Sequence, residues 1–365
     1  MKLKKTALFA FVFGMVLGAF ADWRYDPSAG TITDADGWVF QATVEGKAMT
    51  VGACDAAVAA PAVLDFSCPV SDEAGTNYTI VALDTRFGRT SDADGHCADG
   101  TVTTNVEGGD KISALVLPQT LKSIGSCAFA LCPNLVQVTP FLPDALETLG
   151  EGAFYETPVA GDLRLIGMKR VIGGSTFQSA KVTSVTFGPS LQAVECPGGD
   201  RSQLFYDVTT ITNIVFSLDG SGIAIHPYAL AMPSTLAAPL KLSGVASVGD
   251  YAFENLSFAR VEFDDGIVSI GGAHTFLNNT LLAVVSFRGN PPAVFDLTYN
   301  GVDRTVMTYC RRKCLDAWKS LAEGEVVNME SSAFAEALCA AYSTTASKRP
   351  LRFADKSDGF VLGYR

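Results

Sequence analysis

The chain has 365 residues, 48% of them apolar and 18% charged, with a formal net charge of −11 at pH 7 and a pI of about 4.8. An acidic chain of low charge density repels phosphate backbones and anionic headgroups, so nucleic acid and anionic membrane surfaces are excluded as natural partners. Residues 1–21, MKLKKTALFAFVFGMVLGAFA, join Lys2, Lys4 and Lys5 to an apolar run and an Ala19-Phe20-Ala21 cleavage site, the layout of a secretory signal. The run is short for a spanning helix, which needs about 20 apolar residues. Cleavage is expected after Ala21. It removes three lysines and no acid, so the net charge becomes −14. The first cysteine is Cys54, far from the cleavage point, so a lipid-modified N-terminus is not expected. A secreted, periplasmic or cell-surface location follows.

Residues 22–76 read as short strands. GTITDADGWVFQATVEGKAMTV alternates apolar and polar residues around a DADG turn, as a β-module or an N-terminal cap would. Trp23, Tyr25, Trp38 and Phe40 read as the core of that cap. Cys54 and Cys68 bracket 13 residues in an oxidising compartment and are candidates for a disulfide. NYTIVALDTRF, starting at Asn77, reads as a degenerate first repeat. GRTSDADGHCADG, which follows, is an acidic, glycine-rich insertion. Its Asp92, Asp94 and Asp99 lack the series and closing glutamate of a calcium loop, so a solvated loop is expected and no metal.

From residue 112 an apolar-x-x-apolar-x-apolar motif recurs eight times. It runs as Ile112-Leu115-Leu117, Leu135-Val138-Pro140, Ala160-Leu163-Leu165 and Val182-Val185-Phe187. It continues as Ile211-Ile214-Phe216, Ala237-Leu240-Leu242, Phe258-Val261-Phe263 and Leu282-Val285-Phe287. The motif ends are 21 to 29 residues apart. A bulky apolar residue follows each of the first seven: Phe129, Phe154, Phe177, Phe205, Leu230, Phe253 and Phe276. Four of these close an echoed phrase: IGSCAF, LGEGAF, IGGSTF and VGDYAF. Two landmarks in one phase predict a solenoid, because a single coil has no core and must bury its apolar face on its neighbours. The glycine of IG is expected to serve a bend with φ > 0. CPGGDR at 196–201 lengthens the fourth coil and is expected as an exposed loop.

LPQTLKSIGSCAFALCPNL, FGPSLQAV, VASVGDYAFENL and GIVSIGGAHTFLNN resemble the BspA-like class of leucine-rich repeats, with its phrase I-P-x-S-V-x-x-I-G-x-x-A-F-x-x-C-x-x-L. The resemblance spans about residues 78–290 and is best at 115–135. It implies a short-stranded, right-handed solenoid on secreted or surface proteins linked to adhesion, and it offers no catalytic residues to carry over. This sequence departs from the pattern at Leu230 and in the long fourth coil.

Cys132 lies three residues after Phe129, a slot held elsewhere by mostly apolar residues, and is expected to be a buried thiol. Cys127 lies two before Phe129, where Gly152, Ser175, Tyr251 and His274 stand in other coils. That mixed set suggests a surface position, with a local Cys127–Cys132 disulfide or a metal clasp as the alternatives. After the repeats, GNPP breaks the period, RTVMTYC reads as one more strand, and LDAWKSLAEG and SSAFAEALCAAY have helical spacing. Residues 291–365 are therefore expected to be a C-terminal α/β cap and tail covering the open edge of the last coil. Cys310 and Cys314 in CRRKC could form a disulfide or a basic thiol pair, or begin a helix with one cysteine buried.

The expected organisation is a signal peptide over 1–21, an N-terminal β segment over 22–76, a β-rich solenoid of about eight coils over 77–290, and the cap. His96, His226 and His274 are the three histidines, and G-x-S-x-G, H-E-x-x-H, S-x-x-K and Walker A sequences do not occur. No catalytic residue, cofactor or metal is assigned, and the chain is not expected to be an enzyme; a hydrolase using the C-terminal cysteines is a distant third reading. The outward strand positions, chiefly Gln137, Arg164, Thr186, Asn213, Lys241, Arg260 and Glu262, form the candidate binding face. The function expected is binding or adhesion to an extracellular protein or glycan, with a self-assembling envelope component as the alternative.

Overall fold

The computed structural model describes residues 22–59, 62–84, 108–199, 203–272 and 274–295, and in the C-terminal region 307–310, 314, 317, 351–352 and 363–364. It is strand-rich, with a short 3-10 turn at Gly109–Lys111. The signal segment, the acidic insertion with Asp92, Asp94 and Asp99, and the two stretches of helical spacing, apart from Cys314 and Ala317, lie outside the described residues.

The N-terminal segment contains β1 (Trp23–Asp26), β2 (Thr31–Thr33), β3 (Val39–Glu45), β4 (Ala48–Ala56), β5 (Ala62–Asp65), β6 (Val70–Ser71) and β7 (Asn77–Leu83). Strands β1 to β4 pair antiparallel in chain order. Then β4 pairs β7, β7 pairs β6, and β6 returns to β1. Six strands thus close on themselves, which removes the free edges that a small sheet would otherwise expose. Trp23, Trp38, Phe40, Phe66, Met49 and Val51 are buried here. Trp23 stacks on Phe66 at 5.4 Å, and its indole N–H donates to the Asp65 carbonyl at 2.7 Å. The expected DADG turn is present: Asp34 Oδ1 accepts the N–H groups of Asp36, Gly37 and Trp38.

No disulfide joins Cys54 to Cys68; both are thiols. Cys54 Sγ instead donates to the Ala56 carbonyl at 3.3 Å. Burial, then the negative charge of Asp65, push the Cys68 thiol up to about 12 from its ordinary 9.0. Below pH 9 that difference leaves roughly a thousandfold less thiolate than in the unfolded chain. Iodoacetamide at pH 8 should therefore label Cys68 at least a hundredfold faster in urea than in the folded protein, as followed by peptide mass. Because the folded state holds this proton more tightly, its contribution to stability is present below about pH 9 and is lost as pH rises towards 12.

From Ile112 to Cys310 the strands alternate between two parallel sheets, and Leu351–Arg352 pairs antiparallel with Gly363–Tyr364 in a separate ribbon. In the first are β8 (Ile112–Val116), β10 (Gln137–Thr139), β12 (Ala160–Leu165), β14 (Lys181–Phe187), β16 (Asn213–Phe216), β18 (Leu240–Leu242), β20 (Arg260–Phe263), β22 (Val284–Phe287) and β24 (Met307–Cys310). In the second are β9 (Ser123–Ile124), β11 (Thr148–Leu149), β13 (Arg170–Ile172), β15 (Ala193–Glu195), β17 (Ile223–Ile225), β19 (Val245–Val248), β21 (Ser269–Ile270) and β23 (Val294–Phe295). All eight sequence motifs fall on first-sheet strands, and RTVMTYC supplies β24. The stack also extends N-terminally into the β segment: β5 pairs β8, and β7 pairs β9. The NYTIVAL part of NYTIVALDTRF therefore feeds the second sheet, while the shorter AVLD begins the first. Both sheets break at the same level, the first between β10 and β12 and the second between β11 and β13; in the first, the break lies next to Pro140, which has no N–H to donate.

The motif positions are buried with three exceptions, Pro140, Ala160 and Ala237. In the third and sixth coils the inward place belongs to Val159 and Leu236, one residue earlier. A register shift between Gly161 and Asp162 moves β12 along in the third coil.

The landmark residues form a column of their own. Phe129, Phe154, Phe177 and Phe205 stack at 5.5, 5.8 and 5.7 Å, and Phe253 stacks on Phe276 at 5.6 Å. Leu230 interrupts the aromatic column but keeps the backbone path, its N–H donating to Ala252 O at 3.0 Å. The equivalent bonds link Phe129 to Ala153, Phe154 to Thr176, Phe177 to Leu204 and Phe253 to Thr275. The turn segments thus form a third hydrogen-bonded ladder beside the two sheets.

The glycine of IG does not serve a positive φ. A Cβ on Gly125 would overlap Asp84, one on Gly150 the Ser126 backbone, and one on Gly249 Pro227. At these three positions the requirement is close approach between coils. The left-handed positions fall two residues later, at Cys127, Gly152, Ser175, Tyr228 and Tyr251, and again at Leu131, Glu156, Ser179, Asp207, Asn255 and Asn278.

Cys132 is a buried thiol, as expected. Cys127 is not at the surface: it is buried and disulfide-bonded, and Cys132 is not its partner. A sulfur committed to a disulfide cannot serve as a thiolate metal ligand. Cys314 is a buried free thiol whose Sγ approaches Arg288 O at 3.8 Å, so CRRKC is not closed by a disulfide. In the fourth-coil insertion, Pro197 and Gly198 are exposed, while Cys196 turns inward and donates to Gly199 O at 2.9 Å.

Candidate binding faces

Strand pairing in the first sheet aligns outward side chains into rows. One row runs Arg164, Thr186, Val215, Lys241, Glu262, Ser286. Four of the seven candidate residues share it. Asn213 lies in the neighbouring row with Asp162 and Ser184, and Arg260 lies opposite Val284. Gln137 is apart from the other six, on the three-stranded sheet beyond the break, opposite Ala114. The row ends as a surface at Glu262, because Ser286 is fully buried and donates to Val261 O. Val215 places one exposed apolar side chain in its middle.

The charges on this face differ in how they are held. Arg164 pairs with Asp144 at 3.2 Å, and Glu262 accepts Arg288 Nε at 2.6 Å. Hydroxyls of Ser184 and Thr183, both at 2.7 Å, hold the Asp162 carboxyl below its usual range. Lys181, Lys241 and Arg260 are exposed and have no ion-pair partner among the described residues. The face therefore presents uncompensated positive charge on an acidic chain.

The turn ladder has the opposite character. Tyr228, Tyr251 and His274, two residues before successive landmarks, stack at 4.6 and 4.4 Å with interplanar angles of 7° and 12°. Asp250 orders the last two: Oδ1 accepts the N–H groups of Tyr251 and His274, and Oδ2 lies 3.5 Å from His274 Nδ1. The strand-face reading missed this column. Its signal was the slot occupied by Cys127, continued through the coil whose landmark is Leu230 rather than Phe. His226 stands four residues before its landmark, so the histidines do not share a slot.

A third feature is an open cleft of about 1280 Å³ on the N-terminal module, lined by Asp22, Arg24, Tyr25, Asp26, Asp72 and Glu73 among others. Two of its carboxylates are engaged in local turns: Asp26 with Ser28 and Ala29, and Asp72 with Thr76 and Tyr78. Among the described residues no group of three or more His, Cys, Asp or Glu side chains is placed to hold a metal ion. None of their helices is long and apolar enough to cross a membrane.

Residues 107–217 and 201–293 match the family described as BspA type leucine rich repeat region, in six copies that together cover just over half of the chain. No curated protein matches it. Similar solved structures include the following three. A leucine-rich repeat protein from Bacteroides ovatus ATCC 8483 is 16% identical over 73% of this chain and 68% of that one, with a TM-score of 0.41. A leucine rich cell surface protein from Faecalibacterium prausnitzii A2-165 is 14% identical over 70% and 76%, with a TM-score of 0.33. The pneumococcal vaccine antigen PcpA is 12% identical over 82% and 97%, also with a TM-score of 0.33.

Proposed function

The chain belongs to the BspA-type leucine-rich repeat family, and we propose that it is an exported, non-catalytic repeat protein that binds an extracellular protein or glycan through its first sheet. The observation that carries this reading is the aligned row from Arg164 to Glu262, in which successive parallel strands present side chains to solvent in one register. Such a surface is extended and preorganised, so a ligand meets side chains whose backbone is already ordered. Of the two cysteines in CRRKC, Cys314 is buried, so a hydrolase using that pair would have to use Cys310, whose side chain lies outside the described residues. Export rests on the N-terminal signal. The secreted protein should begin at Asp22, and an intact mass retaining residues 1–21 would remove the basis for an extracellular partner.

Arrays of matrix proteins and glycans test the binding reading directly. Wild-type protein should be retained by a defined subset. Lys241→Glu with Arg260→Glu should weaken that retention by about tenfold or more, in a salt-sensitive way, since reversal turns attraction into repulsion at the face. No retention on either array, or equal retention of the reversed variant, would refute binding of a matrix protein or glycan through the first sheet.

A further inference from the structure

The two ladders on the same solenoid carry complementary chemistry, and we infer that the binding partner is a second copy of this chain, docked strand face to turn face. This rests on the binding reading above and names its partner. The turn ladder bears Glu151, Glu156, Asp207, Asp250 and Glu254, and no lysine or arginine among its described residues. It also offers the phenols of Tyr228 and Tyr251, of the residue type favoured at protein hot spots. The strand face bears Lys181, Lys241 and Arg260 without ion-pair partners among the described residues, and the exposed Val215.

Charge sign is one half of the match and spacing is the other. Both faces repeat with the same coils, at about 4.8 Å per rung. Cations on one copy therefore fall in step with acids on another whenever the two solenoid axes run alongside each other. The contact joins two different faces, so it is heterologous: in a pair, one copy keeps its turn face free and the other keeps its strand face free. Molecules can add side by side, and copies anchored on facing surfaces can join them.

This geometry makes a complementation test possible with the full chain. One variant carries Lys241→Gln and Arg260→Gln and keeps its turn face. The other carries Glu156→Gln, Asp207→Asn and Glu254→Gln and keeps its strand face; neutral replacements leave no attraction between the two altered faces. In sedimentation velocity at low salt, wild type should show a mass that rises with concentration and falls to monomer in about 1 M salt, where the Debye length is about 3 Å. Each variant alone should be monomeric, and their equimolar mixture should form a 1:1 heterodimer that cannot grow further. Circular dichroism confirms that each is folded; if one is not, the salt response of wild type and its titration with the folded variant still decide. Wild type that stays monomeric at low salt, or variants that associate alone or fail to pair, would overturn the inference. A monomeric wild type still retained on the arrays would do so while leaving the binding reading intact.

Discussion

Phe177→Ala should cost about 3–5 kcal/mol, the range for removing a fully buried aromatic ring. Phe177 sits in the middle of the column, stacked on Phe154 and Phe205 and met edge-on by Phe141 at 6.2 Å. Truncation leaves a cavity between two neighbouring rings, and the backbone bonds to the adjacent turns hold it open. Because each coil is stabilised by its neighbours, the loss should spread to the second and fourth coils rather than stay local. Lys181→Ala, on the exposed start of β14, should move the denaturation midpoint little. Equal midpoints for the two variants in urea would mean that the landmark column is not the core.

Gly150→Ala should be comparably damaging, at about 3 kcal/mol, the upper end of the range for overpacking. The added methyl would have to occupy the position of the Ser126 backbone, which cannot swing away as a side chain would. Gly271 holds the same place in its own phrase but has no neighbour near the position of a Cβ and no positive φ. Gly271→Ala should therefore be neutral or slightly stabilising, through a less flexible unfolded chain. Thermal melts of the two variants separate the explanations: a conformational requirement shared by all the phrases predicts equal losses, and coil-to-coil approach predicts a loss only at Gly150.

The solenoid was legible in the sequence because two landmarks recur independently, and apolar periodicity reports burial directly. The first-sheet strands followed from it, as did the inward Phe column. Ala160 and Ala237 were misplaced by one residue because an alanine satisfies an apolar pattern without reporting which way it points. The closed N-terminal ring was not legible. Its closure depends on pairings of β1 with β6 and β4 with β7, between strands distant in sequence, one of them only two residues long. No local pattern specifies such pairings. The left-handed turn positions were hidden for a different reason: Cys127, Ser175, Tyr228 and Tyr251 hold φ near +55° to +61° without being glycine, so the usual signature is absent. The same slot hid the Tyr228–Tyr251–His274 column, whose identity emerges only when the coil with Leu230 is kept in phase. The candidate face was legible as alternation along each strand; which residues share a row required the register.

The central claim is that the exposed face of β12 to β20 is where this protein meets its partner. Lysine acetylation footprinting of the full chain, alone and bound to the ligand it retains most strongly, tests that claim at named atoms. Lys181 and Lys241 should lose reactivity on binding. Lys122, exposed between β8 and β9 and paired with Glu147 at 3.0 Å, and Lys169, ahead of β13, should react at unchanged rates. Protection of Lys122 and Lys169 with Lys181 and Lys241 still fully reactive would place the binding surface elsewhere on the solenoid.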